Sequence, residues 1–423
     1  MGKNHATHER EYRGRNHGVT NIIPIVYTTR IIIYNTIHIL YIIPPSPTYT
    51  LTSMRHTIFS LLFFLTLFLA GCHSSEVSEA EPLRHATLLR MELADSFTRV
   101  EVRDTWHEGR PLQTYVLVPR SQRVPSNLPE GILVRTPLKR VVVFSSVHAA
   151  LLHDLSCESH LVAMTDTTYA VDPRLKEGLR QGRIADAGSS MAPNVERLLA
   201  LKPDAVFVPP MEGASYSLLE KAGLTLVLCA DYLETSALGR AEWMRFFGRL
   251  LGAETQADSL FSDISERYDS LRQAVASTTE RPSLLCDTKQ GTAWYTPGGK
   301  SYLGQLYADA GANYLFADRP ESGSAALSVE TVLARGHEAD VWLIKYGAAN
   351  DLSYTQLATD YAPYKSLRPW QERHIWGCNT LRIPFYEEAP FHPDRLLQDI
   401  VKILHPSLLP HHRLRYYSPL PTP

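Results

Sequence analysis

Short apolar runs alternating with amphipathic stretches predict an α/β protein of two Rossmann-like lobes, each built on a parallel sheet. Three observations carry that prediction. Runs such as RVVVFSS are continuously apolar and end in small polar residues, as strands buried on both faces do. Strands and helices then alternate, which implies βαβ units. The same rhythm recurs on either side of one long helical segment, residues 253–278.

In chain order, LLRMELADSFTRVEVRDTW and LQTYVLVPR alternate with period two and predict a small β-extension. RVVVFSS opens the first lobe, VHAALLHDL follows as a helix, and HLVAMTD, DAVFVPP and LTLVLCAD supply further strands between the helices NVERLLAL and SLLEKAG. Segment 253–278 places Leu260, Ile264, Tyr268 and Leu271 on one helical face. At 1.5 Å per residue such a helix runs about 39 Å, enough to bridge two lobes. PSLLCDT begins the second lobe, with SYLGQLYADAG and VETVLARG as helices and DVWLIKY and HIWGCN as strands. One internal match supports duplication. Val195-Glu196-Arg197-Leu198-Leu199-Ala200 leads to a strand entered through Asp204, and Val329-Glu330-Thr331-Val332-Leu333-Ala334 leads to one entered through Asp340.

The boundaries follow. Residues 1–53 read as spurious upstream sequence or a disordered leader, because an Ile/Tyr/Thr run broken by Arg30, Asn35 and His38 is too short to span a bilayer. Residues 54–71 form a signal peptide, with Arg55 and His56 ahead of an apolar core. Residues 72–138 are tether and β-extension, 139–252 the N-terminal lobe, 253–278 the linker helix, 279–405 the C-terminal lobe and 406–423 a tail.

Composition excludes several classes. With 42 basic and 44 acidic residues the chain lacks the basic excess of a nucleic-acid binder. Five cysteines in 423 residues are too few for a disulfide scaffold, and Cys157, Cys229, Cys286 and Cys378 read as buried free thiols, with a pairing left open. No G-x-S-x-G elbow or H-E-x-x-H motif occurs. TPGGKS carries Trp294 where a phosphate loop needs its first glycine, so it reads as a turn. Glu387 and Glu388 are adjacent and point different ways, which leaves an enzyme using them, or Lys289, without an acid–base pair. His148 stands just past the first lobe strand, where open α/β sheets bind ligands.

Leu69-Ala70-Gly71-Cys72 after such an apolar core resembles the bacterial lipoprotein cleavage box. That resemblance implies lipidation of Cys72 and a mature chain anchored on the periplasmic side of a bacterial membrane. With the two lobes, the linking helix and the string NVERLLALKPDAVFV, residues 139–405 resemble the iron-chelate and vitamin B12 group of substrate-binding proteins for ABC importers, whose lobes are joined by a helix. The resemblance implies a monomeric binding protein, not an enzyme, with no cofactor of its own. Its partners are the importer's permease, the membrane through the anchor, and a small metal complex: a ferric siderophore, heme or cobalamin. Glu196 and Glu330, by motif position, would dock onto permease arginines. Cobalamin is weakened by departures from the family's aromatics: the loop Asp186 to Met191 has no tryptophan, Pro209-Pro210 is non-aromatic, and Lys289 stands where a phenylalanine belongs.

The expected ligand-binding residues are His148, Asp166, Tyr169, Ser189, Ser190 and Met191 from the first lobe. From the second they are Lys289, Trp294, Tyr295, Lys345, Tyr346, Asn379, Arg382 and Tyr386. Aromatics with Lys and Arg suit a flat or anionic complex, and Tyr169 or Tyr346 is a candidate heme-iron ligand. The alternative is capture of bare zinc or manganese through His148 and carboxylates. It lacks a histidine-rich loop.

Overall fold

The computed structural model describes residues 83–107, 109–213 and 215–421; the leader, segment 54–71 and Cys72 lie outside the described residues. The described chain enters through a four-stranded sheet of β1 (Leu89–Leu93), β2 (Thr98–Arg103), β3 (Pro111–Pro119) and β4 (Ile132–Thr136). Its strands are antiparallel except for the parallel β3–β4 pair. Met91, Val100, Val102, Tyr115 and Val134 are buried, the inward half of a period-two alternation. Two buried carboxylates bind the segment just ahead of β1. Glu242 accepts the N–H groups of Arg84, His85 and Ala86, and Glu234 those of Thr87 and Leu88.

The N-terminal lobe runs β5 (Val141–Val143), α1 (Ser146–Asp154), β6 (Leu161–Met164), α2 (Pro173–Arg180), β7 (Ala185–Asp186), α3 (Val195–Ala200), β8 (Ala205–Val208), α4 (Ser217–Lys221) and β9 (Leu226–Leu228). The strands are all parallel in the order β7-β6-β5-β8-β9. Val141 and Val143 face the main core, while Val142 joins Phe144, Val206 and Leu198 in a second core across the sheet. A sheet covered on both faces requires strands apolar on both faces.

Two helices, α5 (Ala237–Glu242) and α6 (Met244–Leu251), lead into the linker α7 (Glu254–Ala276). The linker buries Ala257, Phe261, Ile264, Tyr268 and Val275, so Phe261 rather than Leu260 centres its inward face. It is bolted to the C-terminal lobe as well as packed on α6: Tyr268 donates to Asp309 at 2.7 Å and Arg267 pairs with Asp394 at 2.7 Å.

The C-terminal lobe comprises β10 (Ser283–Cys286), β11 (Lys289–Gln290), β12 (Ala293–Pro297), α8 (Tyr302–Asp309), β13 (Asn313–Tyr314), β14 (Ser324–Ser328), α9 (Val329–Gly336), β15 (Val341–Tyr346), α10 (Tyr354–Asp360), α11 (Arg368–Gln371), β16 (Ile375–Asn379), α12 (Phe385–Glu388), α13 (Pro393–Leu404) and β17 (Ser418–Pro419). Its sheet has the order β13-β10-β15-β16-β17, parallel except for β17. A separate antiparallel sheet, β11-β12-β14, stands after β10; the apolar pattern did not announce it. The tail segment 406–421 packs onto the C-terminal lobe. Asp399 accepts the N–H groups of Arg415 and Tyr416, Arg415 pairs with Glu388 at 2.6 Å, and β17 covers the edge of β16.

The duplication has a physical basis. In each lobe the first strand lies in the interior of the sheet and pairs with the strand that follows the repeated helix, β5 with β8 and β10 with β15. Asp204, just ahead of β8, accepts the N–H groups of Lys139 and Arg140, just ahead of β5, and pairs with Arg120 at 2.6 Å. Asp340, just ahead of β15, accepts the N–H and hydroxyl of Ser283 and pairs with Arg368 at 2.5 Å. Each aspartate braces the entry of two neighbouring strands. Burial pushes both carboxyls up, but the hydrogen bonds and the adjacent guanidinium outweigh it and hold both below the usual carboxylate value.

Candidate binding crevice

In parallel sheets the loops at the carboxyl ends of the strands build the ligand site. Here those loops from the two lobes meet. Glu387 of α12 reaches across and accepts the N–H groups of Val171 and Asp172 at 2.7 and 2.8 Å, beyond β6. His392 bonds Asp154 at 3.0 Å, and Arg240 of α5 lies 5.0 Å over the Tyr302 ring at the start of α8.

On the N-terminal side the structure brings together Asp166, Tyr169, Ser189, Ser190 and Met191. Asp166 sits in the left-handed region with φ 50°, and its N–H donates to Gly188 while its carboxylate accepts from Ser190 at 3.2 Å. The turn leaves Tyr169 at 69% and Met191 at 79% exposure. Met211 and Tyr232, at the ends of β8 and β9, are also exposed. Sequence reasoning missed both, although each stands three or four residues past a strand end, Met211 after Pro209-Pro210 and Tyr232 after Asp231.

His148 is a correction. It lies in α1, buried, with Nε2 2.9 Å from Asp231 and its ring packed near Phe247 and Phe391. Arg240 pairs with the other oxygen of Asp231 at 3.1 Å. Burial pushes the Asp231 carboxyl up, and His148 and Arg240 together pull it below its usual value. The histidine is buried and spent on Asp231 where the N-terminal lobe packs against Phe391 of the other. Among the described residues, no three His, Cys, Asp or Glu side chains converge to hold a metal ion.

Trp294 is a second correction. It belongs to a strand, not a loop, and the pleat turns Trp294 inward and Tyr295 outward. The indole is fully buried, donates to the Cys286 carbonyl at 2.9 Å and packs on Trp342 and Tyr364, whereas Tyr295 is 45% exposed. The glycines of TPGGKS serve close packing: a Cβ on Gly298 or Gly299 would meet the Glu321 or Ala317 carbonyl at 2.1 or 2.0 Å. Their N–H groups are spent on Gly323 and Arg319, so no phosphate cradle exists there.

The expected cations are already engaged. Lys345 lies 2.8 Å from Asp287; burial disfavours its charge, but that carboxylate outweighs burial and holds the ammonium protonated. Arg382 bonds the Ala349 carbonyl and lies 3.4 Å from Asp351. Lys289 donates to the Gly291 carbonyl at 3.1 Å and rests 5.2 Å over the Tyr361 ring. Asn379 is buried and braces the loop after β15 through Ala348 and Asp351, and the Tyr346 hydroxyl accepts from Leu352. What this side leaves exposed is Tyr295, Leu381 and Tyr386, the last at 53%. Glu387 and Glu388 are buried and taken by backbone and by Arg415, so neither is poised as an acid or base.

Glu196 and Glu330 occupy the first turns of α3 and α9, both exposed and without an ion-pair partner among the described residues. The four cysteines are free and buried, and burial pushes the Cys378 thiol up to about 12. A groove of about 680 Å³ lies elsewhere: it opens at the amino ends of β10, β15 and β16, among Pro282, Val341, Trp376, Leu404 and Leu414.

Comparison with known proteins agrees with this architecture. The chain is 25% identical over 314 residues to an uncharacterized lipoprotein of Methanocaldococcus jannaschii, covering 70% of this chain and 73% of that one. A second uncharacterized lipoprotein of that organism is 24% identical over 362 residues, 79% of this chain and 87% of that one. In fold it is similar to a periplasmic heme binding protein from Pseudomonas aeruginosa, with a TM-score of 0.52 and 19% identity over 68% of this chain and 96% of that one. It is similar too to a protein of the ABC-type Fe3+-hydroxamate transport system from Saccharomonospora viridis, with a TM-score of 0.51 and 18% identity over 64% and 94%. A family model described as periplasmic binding protein matches residues 141–374, which run from β5 to the entry of β16. Two lobes with parallel sheets, meeting at their carboxyl ends and covered by that match over more than half of the chain, make this chain a member of the periplasmic binding protein family.

Proposed function

We propose that this protein captures an iron complex, a ferric chelate or a heme-like tetrapyrrole, outside the cytoplasm and hands it to the permease of an ABC importer. One observation carries the reading. Among the described residues, most of the large apolar side chains left exposed, including Tyr169, Met191, Met211, Leu381 and Tyr386, lie at the carboxyl ends of the strands of both lobes. Clustered exposed apolar groups mark a surface that something else covers, and a large organic complex of a metal suits aromatic and thioether walls. The heme and Fe3+-hydroxamate names of similar folds support that ligand class.

Delivery uses Glu196 and Glu330. One exposed carboxylate on each lobe, at equivalent places in the repeat, gives a permease a grip on both lobes, and charges of this kind set register and encounter rate. Cys72, outside the described residues, tethers the protein through lipid; the lipoprotein names of two relatives support this. No helix among the described residues is long and apolar enough to cross a membrane.

The test pairs binding with transport. Glu196→Ala with Glu330→Ala should leave chelate affinity unchanged and abolish stimulation of the cognate importer reconstituted in vesicles. Undiminished uptake by the double variant would remove the docking role. Failure of every ferric chelate and of hemin to bind would remove the ligand class.

A further inference from the structure

The crevice resolves the ligand further, by charge. Sequence alone offers Lys289, Lys345 and Arg382 as receivers of an anionic ligand, and each already has a partner within the protein. Lys345 is locked to Asp287 at 2.8 Å with both side chains largely covered. Arg382 is spread between Asp351 and the Ala349 carbonyl. Lys289 is folded back on Gly291 and Tyr361. Arg240, another guanidinium at the lobe junction, is held by Asp231 and covered by Tyr302.

The carboxylates at the opposite rim are less engaged. Asp166 holds one loop N–H, that of Ser190, and Asp186 holds one, that of Gly188. Neither has an ion-pair partner among the described residues. Prying a buried lysine from its aspartate would leave a buried carboxylate uncompensated, a large penalty. An anion entering here would therefore meet three cations already neutralised by carboxylates and one, Lys289, held by a carbonyl and a ring, against two unneutralised carboxylates, whereas the exposed tyrosine, methionine and leucine side chains reward an apolar or cationic surface.

We infer that the ligand is an uncharged or cationic metal chelate with an apolar periphery, and that complexes bearing free carboxylates or a net negative charge are disfavoured. This rests on the iron-complex reading and narrows it. Asp166 acts as a specificity residue, its carboxylate setting the sign of charge accepted between the lobes.

The experiment is a matched series on the purified protein: ferrioxamine B, which is cationic, its neutral N-acetyl derivative and its anionic N-succinyl derivative, beside a ferric tris-catecholate and hemin. The coordination shell is constant across the first three, so only charge varies. The cationic and neutral complexes should bind at least about tenfold more tightly than the N-succinyl form, a difference of about 1.4 kcal/mol. Asp166→Asn should reduce that discrimination severalfold. Lys300, in the turn ahead of α8, has no carboxylate partner among the described residues; Lys300→Gln should leave the order unchanged. Equal or tighter binding of the N-succinyl form overturns the charge inference, as does binding of only the tris-catecholate or hemin, while leaving the iron-complex reading intact. No binding across the whole series overturns the reading itself.

Discussion

The two lobes share their foundations and differ at their mouths. At the amino ends of the strands, Asp204 and Asp340 make the same brace, each taking strand-entry donors on one oxygen and a guanidinium on the other. At the carboxyl ends the resemblance stops. The N-terminal lobe leaves Tyr169, Met191 and Met211 bare beside lightly held carboxylates, whereas the C-terminal lobe inserts the sheet β11-β12-β14 and ties its cations to carboxylates and carbonyls. The difference teaches where a repeated fold keeps its stability and where it places function: strand entries are a structural constant, and strand exits are free to diverge.

Substitutions can break this comparison. The largest effect is expected at Trp294, which distinguishes the inserted sheet from anything in the other lobe. Trp294→Ala removes a fully buried indole and should cost about 3–5 kcal/mol in chemical denaturation. In Trp294→Phe, with the core kept filled, chelate affinity should match that of the parent; a lost affinity would return Trp294 to the ligand.

Next comes the junction that sets the lobes against each other. Glu387→Ala leaves the buried N–H groups of Val171 and Asp172 without their acceptor and should cost about 2–3 kcal/mol. Glu387→Gln, which keeps one acceptor, should recover part of that. If the two variants are equally and barely destabilised, the junction does not join the lobes.

The paired braces allow a finer comparison. Asp204→Asn should cost about 1.5–3 kcal/mol, and Asp340→Asn less, because the Asp340 side chain is 45% exposed against 24% for Asp204. Both carboxyls are held below their unfolded value, so each contributes stability that is complete above the ordinary carboxylate pKa. That contribution drains away as pH falls through the lowered folded value. The gap between parent and Asn variants should therefore be full at neutral pH and close in acid. A gap that widens on acidification would contradict the brace. The smallest effect belongs to Lys289→Gln, which loses a part-exposed cation–π contact worth about 0.5–1 kcal/mol.

Much of this was legible in the sequence. Runs such as RVVVFSS and DVWLIKY became central strands because an apolar stretch with polar stops admits few alternatives, and the linker was betrayed by its unbroken helical period. The site was half legible. Position after a strand placed Asp166 and Tyr169 beyond β6 and Ser189 to Met191 beyond β7, and the pairing of those neighbouring strands brings the two loops together. Partners distant in sequence could not be read. The pairing of His148 with Asp231 joins residues 83 apart, that of Lys345 with Asp287 joins residues 58 apart, and each converts an apparent ligand group into a satisfied interior one. The pleat that hides Trp294 depended on recognising β12, a short strand flanked by glycines that resembles a loop.

Hydrogen exchange with and without a bound ferric chelate tests the central claim most directly. The account predicts protection in segments 165–171 and 188–191 of one lobe and in 379–387 of the other, all at strand exits, and in 293–296 of the inserted sheet. Protection confined to the groove lined by Pro282, Trp376 and Leu404, at the strand entries, would contradict it.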